Sequence, residues 1–289
     1  MEFNVFPNFG KPIKDGVNQF VEYLVVNYGD ATEAFSDSLL YFLVKLERLL
    51  RGTDPIYILV IVALIAYVAS RKISLSLLVV AGMWFIGAIG LWSQAMQTVA
   101  ILLVAVFISI VIGIPLGVIS ARADRFRALL NPVLDLMQTI PSFVYLIPAA
   151  MLFGLGKVPA ILATVIYAVP PLIRLTDLGI RHVDSAVVEA SRAFGATRGQ
   201  ILRDVQIPLA LPSIMQGINQ TLMMALAMVV IASMIGARGV GETVLLGLQR
   251  NDAGTGLLGG MAIVVLAVVF DRITQAAGQR MQAHRKVTG

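Results

Sequence analysis

The chain has 289 residues, of which 58% are hydrophobic and 13% charged, with a mean hydropathy of +0.85. A water-soluble domain carries about 25% charged residues, so this composition excludes an ordinary soluble protein and makes lipid the solvent. The net charge of +5 is distributed as Lys and Arg between apolar runs, which argues against nucleic acid as a partner, and the lack of cysteine excludes disulfides and thiolate metal sites.

The first twenty residues contain Glu2, Lys11, Lys14 and Asp15 and no apolar core, so a cleavable signal peptide is not expected. Two amphipathic stretches follow. Val17, Phe20, Val21, Leu24, Val25 and Tyr28 share one helical face. Leu39, Phe42, Leu43, Leu46, Leu49 and Leu50 repeat the pattern, with Lys45, Glu47, Arg48 and Arg51 elsewhere around the helix. Such helices lie in the membrane interface. Residues 1–54 therefore read as an extracytoplasmic tail, either a scaffold or a regulatory element, before a single membrane domain over 55–289.

Crossing a bilayer takes about 20 residues of helix, and seven segments approach or reach that length: 55–70, 73–92, 96–120, 133–153, 157–175, 213–235 and 257–275. The expected fold is an all-α integral membrane protein of about seven transmembrane helices preceded by amphipathic interfacial helices. In the third segment Gly113 and Gly117 have the spacing that permits close helix contact, either inside the chain or at a dimer seam. In the fourth, Pro141 and Pro148 are expected to bend the axis beside Gln138, Thr139 and Ser142, which makes this helix a candidate pathway lining. Pro170 and Pro171 interrupt the fifth segment and leave its end open. In the sixth, Gln216, Asn219, Gln220 and Met223 share a face, which serves either interhelical hydrogen bonding or a translocation surface.

Charge sets the orientation. Arg71 and Lys72, then Arg122, Arg125 and Arg127, then Arg181, Arg192, Arg198 and Arg203, and finally Arg280, Arg285 and Lys286 mark alternate connections as cytoplasmic. The N-terminus is thereby expected outside and the C-terminus inside. No Asp, Glu, Lys or Arg is expected mid-span, since Asp135 and Asp271 fall near predicted ends. Intramembrane carboxylates mark ion coupling, so this argues against a secondary transporter. The Gly-rich segment 237–256 reads as an outward loop with Glu242 and Arg238 as its charges.

The segment 177–206 between the fifth and sixth spans is the most informative. Asp184 or Ser185 is placed to cap a helix whose Ala186, Val187, Ala190, Ala193 and Phe194 form a small apolar face. Gly195 should end it, Thr197 and Gln200 have capping-box spacing for a second helix, and Pro208 should bound that helix. A helix–Gly–helix of this kind suits a groove on another protein.

Glu189, Ala190 and Ser191, then Gly195, then Val205, Gln206, Ile207 and Pro208 match E-A-A-x₃-G-x₉-I-x-L-P with conservative departures. That pattern resembles the permeases of binding-protein-dependent ABC importers, and from about residue 55 onward the chain is similar to them. The runs 137–145, 219–223 and 229–235 look like the glycine betaine/proline betaine branch, which includes choline permeases. The resemblance implies a type I importer permease fold in the bacterial inner membrane. It implies that Glu189, Ala190, Ser191, Gly195, Ile207 and Pro208 couple to an ATPase. It also implies a permease homodimer or close heterodimer, two ATPase subunits carrying the ATP and Mg, and an extracytoplasmic substrate-binding protein. Relatives of the family serve histidine, proline or trimethylamine N-oxide.

The chain itself carries no phosphate-binding loop, because Gly10-Lys11 and Gly156-Lys157 are followed by Pro and Val. His182 and His284 are isolated, and no G-x-S-x-G elbow occurs. These readings expect a non-catalytic subunit without a cofactor of its own. A channel or secondary transporter that needs no ATPase, a membrane-embedded enzyme and an exporter half are the rival classes.

Overall fold

The computed structural model describes residues 9–286, with side chains through Arg280. Glu2 and the side chains of His284, Arg285 and Lys286 lie outside the described residues. Every regular element among the described residues is helical.

Helix α1 (Gly10–Gly52) is one continuous rod rather than two separate amphipathic helices. Between the two apolar faces no Pro interrupts the i to i−4 ladder, and Gly29 costs only about 1 kcal/mol in a helix interior. Helices α2 (Pro55–Ser70) and α3 (Ile73–Ala88) form an antiparallel pair. Asp54 caps α2 by accepting from the Ile56 amide at 2.9 Å, and Pro55 occupies the first helical position, where its missing N–H costs nothing. Long helix α4 (Trp92–Arg122) follows, then α5 (Asp124–Thr139), a 3₁₀ turn at Ser142–Tyr145, and α6 (Leu146–Phe153). Helix α7 (Lys157–Arg181) runs unbroken through Pro170 and Pro171, both buried. After the short α8 (Ser185–Ala193) and α9 (Arg198–Gln200), a π-helical turn at Ile201–Gln206 leads into α10 (Ile207–Ala232). Helices α11 (Val240–Gln249) and α12 (Ala253–Lys286) end the chain.

Side-chain contacts set the direction of each pass. The ends of α4 and α7 meet where Arg181 Nη2 donates to the Ser120 carbonyl at 2.8 Å. At the opposite end the Val240 amide donates to Thr98 Oγ1 at 2.9 Å, so α10 has returned to the start of α4. Arg280 donates to the Val68 carbonyl, placing the end of α2 beside the C-terminal half of α12. Helices α2, α4, α7 and α12 therefore run toward the α8 end, while α3, α5–α6 and α10 run back.

Among the described residues these runs number seven, but they are not seven full-length helices. Four helices among the described residues are long and apolar enough to cross a membrane alone, or up to six if each bent pair is one span. The segment expected as one span over 133–153 is bent by 107° between α5 and Ser142–Phe153, because Pro141 removes an amide and the preceding Ile140 is extended. At 16 residues each, α2 and α3 rise about 24 Å, short of the roughly 30 Å hydrocarbon core. The outward loop expected over 237–256 contains α11, whose Val240, Gly241 and Gly247 are buried. Small residues there permit it to fold back: a Cβ on Gly247 would lie 2.4 Å from the Gly256 amide nitrogen.

The two glycines of α4 serve internal packing against α7. A Cβ on Gly117 would sit 2.5 Å from Thr176 Cβ and 2.8 Å from the Ile173 carbonyl oxygen, whereas one on Gly113 would first meet the flexible tip of Leu172 at 2.9 Å. Gly117→Ala is accordingly expected to lower stability by about 1–3 kcal/mol, the usual cost of overpacking. Gly113→Ala should cost less. Thermal unfolding of the two variants in detergent checks this, and equal melting points would contradict it.

Candidate functional site

The turn between α7 and α10 folds as its local sequence dictates. The Asp184 carboxylate accepts from the Ala186 amide at 2.8 Å and caps α8. At the other end, the Gly195 amide bonds the Arg192 carbonyl at 2.9 Å and the Ala196 amide bonds the Ser191 carbonyl at 3.1 Å. That pair of bonds is a Schellman motif, which places the following residue in the left-handed region, and Gly195 has φ +85°. Thr197 and Gln200 then form a complete capping box.

Glu189 and Ala190 are exposed, Ser191 is half-buried, and Phe194 beside Gly195 is 93% exposed. Ser191 Oγ donates to the Val187 carbonyl within α8. Phe194 therefore presents a large apolar ring at the tip of a well-capped turn.

Pro208 does not end the second helix. The backbone stays helical from Arg198 to Ile235. The π turn explains why: its wider i to i−5 bond from Ile207 to Leu202 disrupts the α-helical pattern just before a residue that has no amide to donate. Ile207 and Pro208 are partly buried, so the exposed turn is joined to α10 by continuous helix.

Below the turn, charges join the helix ends. Asp177, with its side chain 5% exposed, lies 2.9 Å from Arg181 Nε and 2.9 Å from Arg127 Nε, and Arg181 Nη1 also reaches Asp124 at 2.7 Å. The sequence reading placed Asp177 and Arg181 in a loop. Instead α7 extends through both, and their i, i+4 spacing was the available signal. The nearby Asp135 pairs with Arg174.

The candidate pathway residues divide into two sets. Gln216, Gln220 and Met223 are exposed on α10, as are Gln138, Thr139 and Pro141 at the α5 bend, while Ser142 is half-buried. The 3₁₀ turn that begins at Ser142 packs against α10. Asn219 is 6% exposed: its amide donates to Asp271 at 3.0 Å, and its carbonyl oxygen accepts from Thr274. It ties α10 to α12, which is the interhelical alternative for that residue.

A second polar cluster lies at the opposite end. Glu47 of α1, with its side chain 8% exposed, accepts from Lys157, from Gln97 at 3.2 Å and from Arg51 at 3.1 Å. Amphipathic periodicity assigns Glu47 to a polar face, yet it is buried because its partner stands 110 residues away. Leu43, fully buried, seats the same part of α1 among Ala100, Ile101, Val104 and Ala149.

Residues 113–283 match the family described as binding-protein-dependent transport system inner membrane component. The chain is 45% identical over 280 residues, covering 96% of itself and 79% of its relative, to the glycine betaine/proline betaine transport system permease protein ProW of Escherichia coli K12. It is 41% identical over 265 residues to the glycine betaine transport system permease protein OpuAB of Bacillus subtilis 168, covering 91% and 93% of the two chains. Among solved structures, an inward-facing form of the MetNI methionine ABC transporter superposes with a TM-score of 0.54 at 26% identity, covering 73% of this chain and 98% of that one. An exposed, capped turn on an all-helical bundle thus accompanies sequence and fold matches that point the same way: the chain belongs to the inner membrane components of binding-protein-dependent transport systems, as a non-catalytic permease of the ABC importer type.

Proposed function

We propose that this chain imports a betaine-type quaternary ammonium solute across the bacterial inner membrane, driven by ATP hydrolysis on two copies of a separate subunit that dock at Glu189–Gly195. The permease acts as a dimer, and an extracytoplasmic binding protein delivers the solute. The N-terminus lies outside and the C-terminus in the cytoplasm. The observation that carries this reading is the exposed α8 turn with Phe194 beside Gly195, in a chain whose relatives named above are glycine betaine permeases.

The geometry supports a mechanical route. Closure of the ATPases displaces α8, and the continuous helix through the π turn carries that displacement into α10. Helices α7 and α10 move together because their backbones pack closely: a Cβ on Gly179 would lie 2.6 Å from Ser213 Cβ, and one on Gly217 would lie 3.1 Å from Leu172 Cα. Gln216, Gln220 and Met223, with Gln138, Thr139, Pro141 and Ser142 near the α5 bend, then line the path that opens. Polar but uncharged groups suit a cationic or zwitterionic solute that must pass without being held.

Uptake of labelled glycine betaine, proline betaine, choline, proline, histidine and trimethylamine N-oxide tests the reading in cells with and without the ATPase subunit. Betaine uptake should occur only with the ATPase present. ATPase-independent uptake would instead favour a channel or secondary transporter, and preference for another of these solutes would correct the cargo alone.

A further inference from the structure

The α2–α3 turn and the C-terminal half of α12 enclose a cleft of 550 Å³ at the same end of the bundle as α8. A Cβ on Gly278 would contact Met215 at 3.5 Å, so this part of α12 packs on the N-terminal half of α10. Lys72, Arg272 and Arg280 line the cleft with Gln275 and Gln279, and among the described residues no carboxylate does. Neither Lys72 nor Arg272 forms an ion pair among the described residues. The adjacent Asp271 accepts from Asn219 and from Gln275 at 2.7 Å. Arg280 bonds the Val68 carbonyl and so stands between α2 and α12.

Three cations with no counter-charge among the described residues call for an anion, and the surroundings indicate which kind. Leu75 and Leu78 also line the cleft. The neighbouring Val68, Ile73 and Leu77 are 52%, 68% and 65% exposed, an apolar surface that acyl chains would cover. Because α2 and α3 are shorter than the hydrocarbon core, lipid headgroups are drawn toward their connecting turn. Basic pockets between helices at a membrane boundary are suited to phosphate headgroups. We propose that this cleft binds the headgroup phosphate of an anionic phospholipid, with Lys72, Arg272 and Arg280 as its donors. This goes beyond the transport reading and does not depend on the cargo or on the ATPase.

The test places the full-length chain in phosphatidylcholine nanodiscs containing trace photoactivatable phosphatidylglycerol, with a matched phosphatidylcholine probe as control. Labelling by phosphatidylglycerol should concentrate on the α2–α3 turn and the 269–280 part of α12, exceeding the control by roughly tenfold. The double variant Lys72→Gln/Arg272→Gln should fall to the control level, while Lys72→Arg/Arg272→Lys retains the label and shows that charge is required. Excess inorganic phosphate should not compete. Equal labelling by both lipids, or labelling located elsewhere, would overturn the proposal in the wild-type chain without recourse to variants. Displacement by inorganic phosphate would overturn the lipid assignment in favour of a soluble anion.

Discussion

Gly195→Val is expected to abolish solute uptake while the chain still inserts and its ATPase partner is still made. The cause is conformational. Gly195 sits at φ +85°, where a β-branched residue is a genuine outlier, and the Schellman bonds to Ser191 and Arg192 require that conformation. A Cβ at this position would meet nothing within 4 Å in the chain, so the substitution does not disturb the bundle. It disturbs only the angle between α8 and the helix that leads into α10, which is the connection proposed to carry the stroke. The expected order of uptake is Gly195, then Asn, then Ala, then Val, because Asn tolerates the left-handed region better than other non-glycine residues. Uptake measured beside the membrane-inserted amount of each variant checks this. A valine variant that transports at the unsubstituted rate would exclude a coupling role for the turn.

The second large effect is expected at the opposite end, from Lys157→Met or Glu47→Ala. Each change removes one partner of a buried ion pair and leaves the other charge desolvated, at a cost of about 3–5 kcal/mol. The Lys157 variant should be the milder of the two, since Glu47 would keep Gln97 and Arg51. Replacing both residues together, as Glu47→Leu/Lys157→Met, should be far less harmful than the sum of the single changes, because no buried charge is left unpaired: Arg51, which also loses Glu47, keeps a side chain 45% exposed to solvent. Thermal unfolding in detergent measures the cycle, and limited proteolysis of α1 reports whether its N-terminal half detaches first. Additive single and double effects would mean that the pair does not anchor α1.

Glu47 and Gly195 also mark the two extremes of what could be read before folding. The capped turn between α7 and α10 was legible almost residue by residue. Asp184 caps α8, Gly195 ends it, and Thr197 with Gln200 forms the next cap, all through bonds spanning five residues or fewer. Such signals lie within one turn of backbone, so spacing alone specifies them. Pro208 is the exception at that site. Its stop signal is local, yet a π turn, equally local but without a sequence signature in spacing, carries the helix past it.

The apolar segments by themselves determined an all-helical membrane protein whose chain alternates direction, since lipid admits few other solutions for backbone amides. The residue types and spacing between 184 and 200 likewise determined a doubly capped turn. Only the tertiary structure decided which polar groups face inward. Asn219 shares a helical face with Gln216 and Gln220 but is taken up by Asp271 and Thr274, more than 50 positions later. Glu47 belongs by periodicity to a wet surface but is buried against Lys157. Periodicity reports the period of an element, whereas the burial of a polar side chain depends on a compensating partner. Those partners come from distant helices, and only packing brings them together.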